Sequence, residues 1–403
     1  MRLRISLLFG LSILILTNIS AQSYDFDVTK TEELRVRDGM PNFFKKLKAG
    51  DPVKVGYLGG SITNGGLWRA KSLEWLQSEY PKANITQINA AIGGKGPDYG
   101  TCRIKEHLLV HNPDMIFIEF RVNNGSAFQG RALEGMIPQI WEHNPNIEIC
   151  MVYTIAHWMK EEIARGDQTS AGVFMEPVAN HYGITSIEFG LEVMKLLKED
   201  KLVFKKGDGP SDGKIIFSKD GVHPLEAGHD IYRDVLIRSL KAIENHGTPG
   251  PNKIPKPLKK HIFSNASLAP VSKAEFSSNW HKSDLGNEKS INDDLTDRNG
   301  GIKSVFGEAM QTSKVGESFT LKWDGFMLGL TSTLAEKGAI QIEVFTDGDP
   351  SKIYDLKSRT GKTAVKYMFL DEMESGSHTT RIKLIKLAPG IKLQIGQFLI
   401  VDN

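Results

Sequence analysis

A serine stands among glycines in Gly59-Gly60-Ser61-Ile62-Thr63, and an acid and a histidine stand three apart in Asp220-Gly221-Val222-His223-Pro224. A serine hydroxyl becomes a nucleophile when an imidazole takes its proton, and a carboxylate can orient that imidazole and stabilise its cation. Two further places could hold the oxyanion that such an attack creates. The Gly93-Gly94 pair offers backbone N–H groups that no side chain shields, and Asn123 offers an amide that does not titrate near neutrality. Each feature also has a bland reading: Ser61 as a helix cap, Asp220 and a solvated His223 in a turn, Gly93-Gly94 as loop glycines, Asn123 as a turn residue.

The elements that must position these residues are legible in the hydrophobic pattern. Short apolar strands are expected at 53–58, 85–91, 115–120, 147–155 and 185–187, with amphipathic helices at 67–80, 100–110, 131–142, 171–182, 190–199 and 225–245. This alternation calls for an α/β domain, a parallel sheet covered by helices on both faces. In such domains functional groups collect at the carboxyl ends of the strands. Ser61 follows the first strand, Gly94 the second and Asn123 the third, while Asp220 and His223 precede the last helix. Two polar segments, 157–169 and 201–218, interrupt the rhythm, either as substrate-contacting loops or as solvated excursions.

Beyond Asn245 the character changes. His246-Gly247-Thr248-Pro249-Gly250-Pro251 opens a Pro/Gly linker over 246–260 that cannot continue a helix. Short alternating segments follow at 319–323, 326–333, 340–345, 364–369, 380–387 and 392–400, separated by turn residues, which suggests a β-sandwich over 261–403. The expected catalytic domain is thus 22–245. A length of 403 residues suits two cores better than one.

Ser after strand one, Gly after strand two, Asn after strand three and Asp-x-x-His before the last helix together resemble the SGNH/GDSL hydrolase family. The four blocks read GGSITNG, NAAIGGKG, EFRVNNG and DGVHP, and the resemblance covers about 53–243. It implies a flavodoxin-like three-layer α/β/α fold and an esterase. Ser61 would be the nucleophile, His223 the general base and Asp220 its partner. The oxyanion hole would be the backbone N–H groups of Ser61 and Gly94 with the side chain of Asn123, Gly93 being the alternative donor. Two positions depart from the family pattern. Gly60 stands where Asp usually precedes the Ser, and Asn124 stands where Asp usually follows the Asn, with Arg121-Val122 before the pair. Neither touches the triad; both bear on loop geometry and local charge.

Other chemistries fit poorly. The glycines around Gly94-Lys95-Gly96 miss the G-x-G-x-x-G spacing, there is no Gly-Lys-Ser/Thr phosphate loop, and the Ser61 turn is not a G-x-S-x-G elbow. His107 and His111 lie four apart on a helix, but no HExxH surrounds them, and they read as surface histidines. No metal or cofactor is expected. A net charge of +2 gives no support for a nucleic-acid partner.

The chain opens with Met1-Arg2-Leu3-Arg4, an apolar run from Ile5 to Leu16 and small residues ending at Ala21. This is the layout of a secretory signal over 1–21, and the apolar run is shorter than the roughly 20 residues of a spanning helix. Export to the periplasm or beyond, without a stable membrane anchor, is expected. Cys102 and Cys150 could form one bridge there or remain as buried thiols.

An exported hydrolase of this family with a jelly-roll-like partner domain suggests an esterified polysaccharide or oligosaccharide as substrate, with O-acetyl groups as the target. Trp68, Arg121, His157 and Trp158 fall near expected strand ends and could line a sugar subsite. In the sandwich, Trp280 and Trp323 could stack on sugar or simply pack. The reading from a different class is a non-catalytic glycan-binding protein that keeps the hydrolase fold.

Overall fold

Five parallel strands form the centre of the molecule: β2 (Val53–Gly59), β3 (Ile85–Asn89), β4 (Met115–Glu119), β5 (Glu148–Tyr153) and β6 (Thr185–Glu188). A short β1 (Leu34–Arg35) pairs antiparallel with β6, and the sheet runs β1-β6-β5-β4-β2-β3. The computed structural model describes residues 32–167, 169, 172–283, 302 and 308–403; the expected leader at 1–21 lies outside them. Residues of β4 alternate strictly between two cores. Met115 and Phe117 face one side and Ile116 and Ile118 the other, because successive side chains of a strand point to opposite faces.

The first core is covered by α1 (Pro41–Ala49), α3 (Leu67–Glu79), α8 (Phe189–Lys198) and α9 (Glu226–Ile243). The second is covered by α4 (Pro97–His107), α5 (Ala127–His143) and α7 (Gly172–His181). Two one-turn helices, α2 (Ser61–Asn64) and α6 (Lys160–Ala164), and a parallel pair β7 (Leu202–Lys205) and β8 (Ile215–Ser218) lie at the carboxyl edge of the sheet. The expected helix at 100–110 instead starts at Pro97 and stops at His107. Proline is favoured in a first turn, and Gly96 takes the cap position. The strand β1, helix α1 and the β7–β8 pair were not expected.

Beyond α9 the chain has no regular element until β9 (Ser267–Pro270). It lies as a strap along the first domain. Asn252 donates its N–H to Pro145 O at 2.8 Å, and Asn42 and Gly250 exchange two hydrogen bonds. Two antiparallel sheets follow. One contains β10 (Ala274–Phe276), β13 (Ser318–Gly325), β18 (Gly376–Leu387), β15 (Ile340–Thr346) and β16 (Lys352–Asp355). The other contains β11 (His281–Lys282), β12 (Met310–Thr312), β19 (Leu393–Val401), β14 (Met327–Leu334) and β17 (Ala364–Phe369), with β9 beside β19. Phe319, Leu321 and Ile382 of the first sheet meet Leu328, Leu330 and Phe398 of the second in one core.

The two domains share a fourth apolar cluster, in which Ile92, Tyr99, Cys102 and Ala132 pack against Phe263, Phe326, Val365 and Leu399. Tyr99 stacks on Tyr367 with ring centroids 5.0 Å apart, and Phe128 meets Phe263 and Phe369 edge-on. Offset and edge-to-face contacts of this kind stabilise beyond simple area burial. The sandwich is therefore fastened beside α4 and α5, the helices that flank the carboxyl edge of the sheet.

Candidate active site

Strand β2 ends at Gly59 and the chain turns at once into α2. Gly60 occupies the cap position, so Ser61 is the first helical residue and not the helix cap. Its N–H lies among the first-turn amides that have no carbonyl to bond within the helix. The Ser61 hydroxyl oxygen lies 2.8 Å from His223 Nε2, and His223 Nδ1 lies 2.7 Å from Asp220 Oδ2.

The acid and the imidazole come from the loop between β8 and α9. Asp220 Oδ1 accepts the backbone N–H groups of Val222 and His223, both at 2.9 Å, which closes a local turn. Ser218, the buried last residue of β8, secures that turn. Its hydroxyl accepts the Gly221 N–H at 3.0 Å and lies 2.8 Å from the His223 carbonyl and 3.0 Å from Asp220 Oδ1. Burial works against a charge on Asp220, but the bonds from the His223 ring and from the two backbone amides prevail and hold its carboxyl well below the usual range. An ionised Asp220 keeps the proton of the imidazole on Nδ1, leaving Nε2 to accept from Ser61. Such a row can deprotonate a serine hydroxyl.

Asn123 reaches the same turn from the end of β4, where Arg121–Asn123 form a single 3-10 turn. Its side chain presses on Gly60: a Cβ at that position would lie 1.9 Å from Asn123 Oδ1 and 2.9 Å from Cγ. Gly60 therefore does more than replace the usual Asp, since with Asn123 in this place no side chain fits there. Gly94 has φ +69°, a conformation that favours glycine, and faces open space; Gly93 lies across from Ser61, a Cβ on it meeting Ser61 Cβ at 3.6 Å. Asn124 is buried, and its amide points away from solvent.

Beneath the turn lies a buried carboxyl that the pattern of motifs did not single out. Glu119, the last residue of β4, accepts the hydroxyls of Thr63 in α2 at 2.9 Å and of Thr154 after β5 at 2.7 Å. Burial pushes its carboxyl upward, against the opposing pull of those two hydroxyls. It ties the Ser61 turn to the ends of two strands. The signal available in sequence was an acid within the otherwise apolar MIFIEF strand.

Two of the four sugar-subsite candidates are corrected. Trp68 is fully buried, edge-on to Tyr57, Phe117 and Phe189, because α3 turns it onto the sheet. Arg121 is also buried, paired with Glu188, bonded through Nε to Thr169 at 3.1 Å and set over the Tyr153 ring. Its charge is spent on another buried charge and faces no cleft. His157 is half-exposed and donates its N–H to Gly221 O at 2.8 Å, with its ring 3.4 Å from Asp208 Oδ2. The segments 157–169 and 201–218 thus meet at the loop that carries Asp220 and His223. Trp158 is 58% exposed and opens onto a cleft.

That cleft, about 1250 Å³, runs between the domains from Gly94, Asn123 and Trp158 to Lys357, Arg359 and Tyr367 of the sandwich. A second cavity of about 560 Å³ lies at the opposite end of the sheet, walled by the strap and by Glu148, far from Ser61. Trp280 and Trp323 are buried in the sandwich, and Trp323 donates to Thr380 Oγ1 at 2.9 Å, so the packing role is the one realised. Cys102 and Cys150 are buried free thiols on different faces of the sheet. His107 is half-buried, with Nδ1 turned inward, and burial pulls its imidazole down to about 3. Among the described residues no group of three or more His, Cys, Asp or Glu is placed to hold a metal, and no helix is long and apolar enough to cross a membrane.

Fold and site together define a three-layer α/β/α domain, with a Ser-His-Asp row at the carboxyl edge of its sheet, followed by a β-sandwich. Solved structures share this arrangement across nearly the whole chain. A two-domain esterase active on acetylated mannans, co-crystallised with mannopentaose, superposes with a TM-score of 0.73 at 19% identity, over 93% of this chain and 98% of that one. The esterase of the same description without that ligand gives 0.71, also at 19% identity and with the same coverage. At such identity the likeness establishes the fold. No family model matches the chain, and no curated protein matches it.

Proposed function

We propose that this protein is an exported carbohydrate esterase that removes O-acetyl groups from a polysaccharide through a Ser61–His223–Asp220 acyl-enzyme mechanism. The observation that carries the reading is the continuous row from the Ser61 hydroxyl through His223 to Asp220, at 2.8 and 2.7 Å. The two-domain likeness to an esterase active on acetylated mannans supports the substrate class.

Ser61 Oγ attacks the acetyl carbonyl while His223 Nε2 takes its proton. Charge collects on the carbonyl oxygen, next to the N–H groups of Ser61 and Gly94 and the Asn123 amide. His223 then gives the proton to the departing sugar oxygen as the ester bond breaks, releasing a free hydroxyl. Water, deprotonated by His223, attacks the acetyl-serine, and acetate leaves with Ser61 restored. Asp220 stays ionised throughout and stabilises the imidazolium. Trp158 offers a face for a sugar ring at the edge of the cleft.

Acetate release from acetylated polysaccharides and from 4-nitrophenyl acetate, with wild type and Ser61→Ala, tests the reading. Loss of turnover in the mutant with retained fold is the expected outcome. Equal activity in both proteins removes Ser61 as nucleophile, and glycan binding without any wild-type turnover favours a binding protein.

A further inference from the structure

The interdomain cleft carries an excess of unpaired positive charge. Lys95, at the oxyanion end, and Lys357, Arg359 and Lys366, on the sandwich side, all line it. None of the four has an ion-pair partner among the described residues. The acids that share the cleft are already engaged. Glu372 pairs with Arg131, Asp371 with Lys352 at 3.0 Å, and Asp98 accepts the Tyr367 hydroxyl at 2.9 Å.

Burial lowers the Lys95 ammonium to about 8, and the neighbouring charges of Lys366 and Arg103 add to that effect against the smaller opposing pull of Asp98. Its Nζ sits 5.9 Å from the centre of the Tyr367 ring, so it is held over the cleft wall and not free to swing into bulk solvent. Lys366 is held too, donating to Ser358 Oγ at 3.1 Å, while Lys357 and Arg359 are exposed on the connection between β16 and β17. Like charges gathered in a concave site raise the local concentration of anions. An acetyl ester is neutral and gives no reason for four cations beside it. A glycan that bears its own negative charge does.

We infer that the substrate is an acetylated glycan carrying anionic groups, uronate carboxylates or sulfate esters, which lie on Lys95, Lys357, Arg359 and Lys366 while the acetyl group reaches Ser61. The inference rests on the esterase reading above. A carboxylate or sulfate seated there relieves the repulsion between Lys95 and Lys366, and Arg359 can bind either group through two parallel N–H donors. A neutral acetylated mannan supplies no such group.

The test is acetate release by the full chain from acetylated pectin (uronate), a chemically acetylated sulfated galactan and acetylated glucomannan (neutral), at 20 and 500 mM NaCl. Wild type should show a higher kcat/KM on one or both anionic glycans, with the advantage falling at high salt as the charges are screened. Preference between pectin and sulfated galactan identifies the anionic group. The exposed pair Lys357→Gln with Arg359→Gln should narrow the ratio of kcat/KM between anionic and neutral glycan about five- to tenfold, mainly through KM, at one to a few-fold for each rim charge. Lys366→Gln is a second, independent arm with the same expected direction. A preference for glucomannan, a ratio indifferent to salt, or variants that slow all three glycans equally would overturn the inference. If wild type turns over none of these glycans and no 4-nitrophenyl acetate, it is the esterase reading that fails.

Discussion

Gly60→Ala is the most informative single substitution, because it adds one methyl group and touches no member of the hydrogen-bonded row. The new Cβ would lie 1.9 Å from Asn123 Oδ1 and 2.9 Å from Cγ. Non-bonded heavy atoms settle at roughly 3.5–4.0 Å. The Asn123 amide must therefore retreat by more than an ångström or rotate out of its place. The fold can absorb this, since an off-rotamer side chain costs about 0.5–1.5 kcal/mol. Catalysis should not: loss of one oxyanion donor costs on the order of 100- to 1000-fold in kcat, about 2.7–4 kcal/mol. Asn123→Ala should cost a similar factor and also make room for the methyl group. The double variant Gly60→Ala/Asn123→Ala should then be no slower than Asn123→Ala alone. Initial rates on 4-nitrophenyl acetate, with melting curves for all four proteins of the cycle, give the coupling directly. A Gly60→Ala enzyme within threefold of wild type, or factors that multiply in the double variant, would refute the placement of Asn123.

Asp220→Asn should lower kcat on the order of 10⁴-fold in the same assay, since an amide gives the imidazole neither the required tautomer nor a counter-charge. Because the native carboxyl is held well below its usual range, its contribution to stability is complete above about pH 4 and is lost only as pH falls through the depressed value; a midpoint from this group near pH 6 in stability measurements would contradict it. Glu148 behaves in the opposite sense. Burial raises it to about 7, so the folded state holds a proton that the unfolded chain has released, and this part of the stability fades between about pH 4.5 and 7. Glu148→Gln should accordingly flatten the melting temperature against pH, with a gain of up to about 3 kcal/mol at pH 8; an unchanged pH dependence refutes that reading. A chain ended at Asn245 would uncover Tyr99, which stacks on Tyr367, and Phe128, which meets Phe263 and Phe369 edge-on. It should lose several kcal/mol, at about 1.5–3 kcal/mol for each large apolar side chain exposed, and should bind a hydrophobic dye; a truncated chain as stable as the whole refutes the bracing role.

Local spacing made much of the site legible. Asp220 and His223 act within one turn, closed by the carboxylate on the amides of its own loop, and such a motif is written wholly in neighbouring residues. The strands and helices that carry Ser61, Gly94 and Asn123 were likewise legible, because β4 sorts its side chains between two cores with a period of two. Trp68 and Arg121 misled for a related reason. Being near a strand end in sequence says nothing about which way a side chain turns, and both turn inward, onto the aromatic core and onto Glu188.

The order of the elements, the sandwich after the linker and the identity of the residues in the row are thus written along the chain. The contacts between segments far apart in it appear only once the chain is folded. Those are the 2.8 Å approach of Ser61 to His223, the seating of Asn123 against Gly60, Glu119 between Thr63 and Thr154, and the cleft where Lys95 meets Lys357, Arg359 and Lys366. Periodicity and turn chemistry are properties of adjacent residues, whereas close packing and opposed charges depend on which surfaces the chain finally brings together.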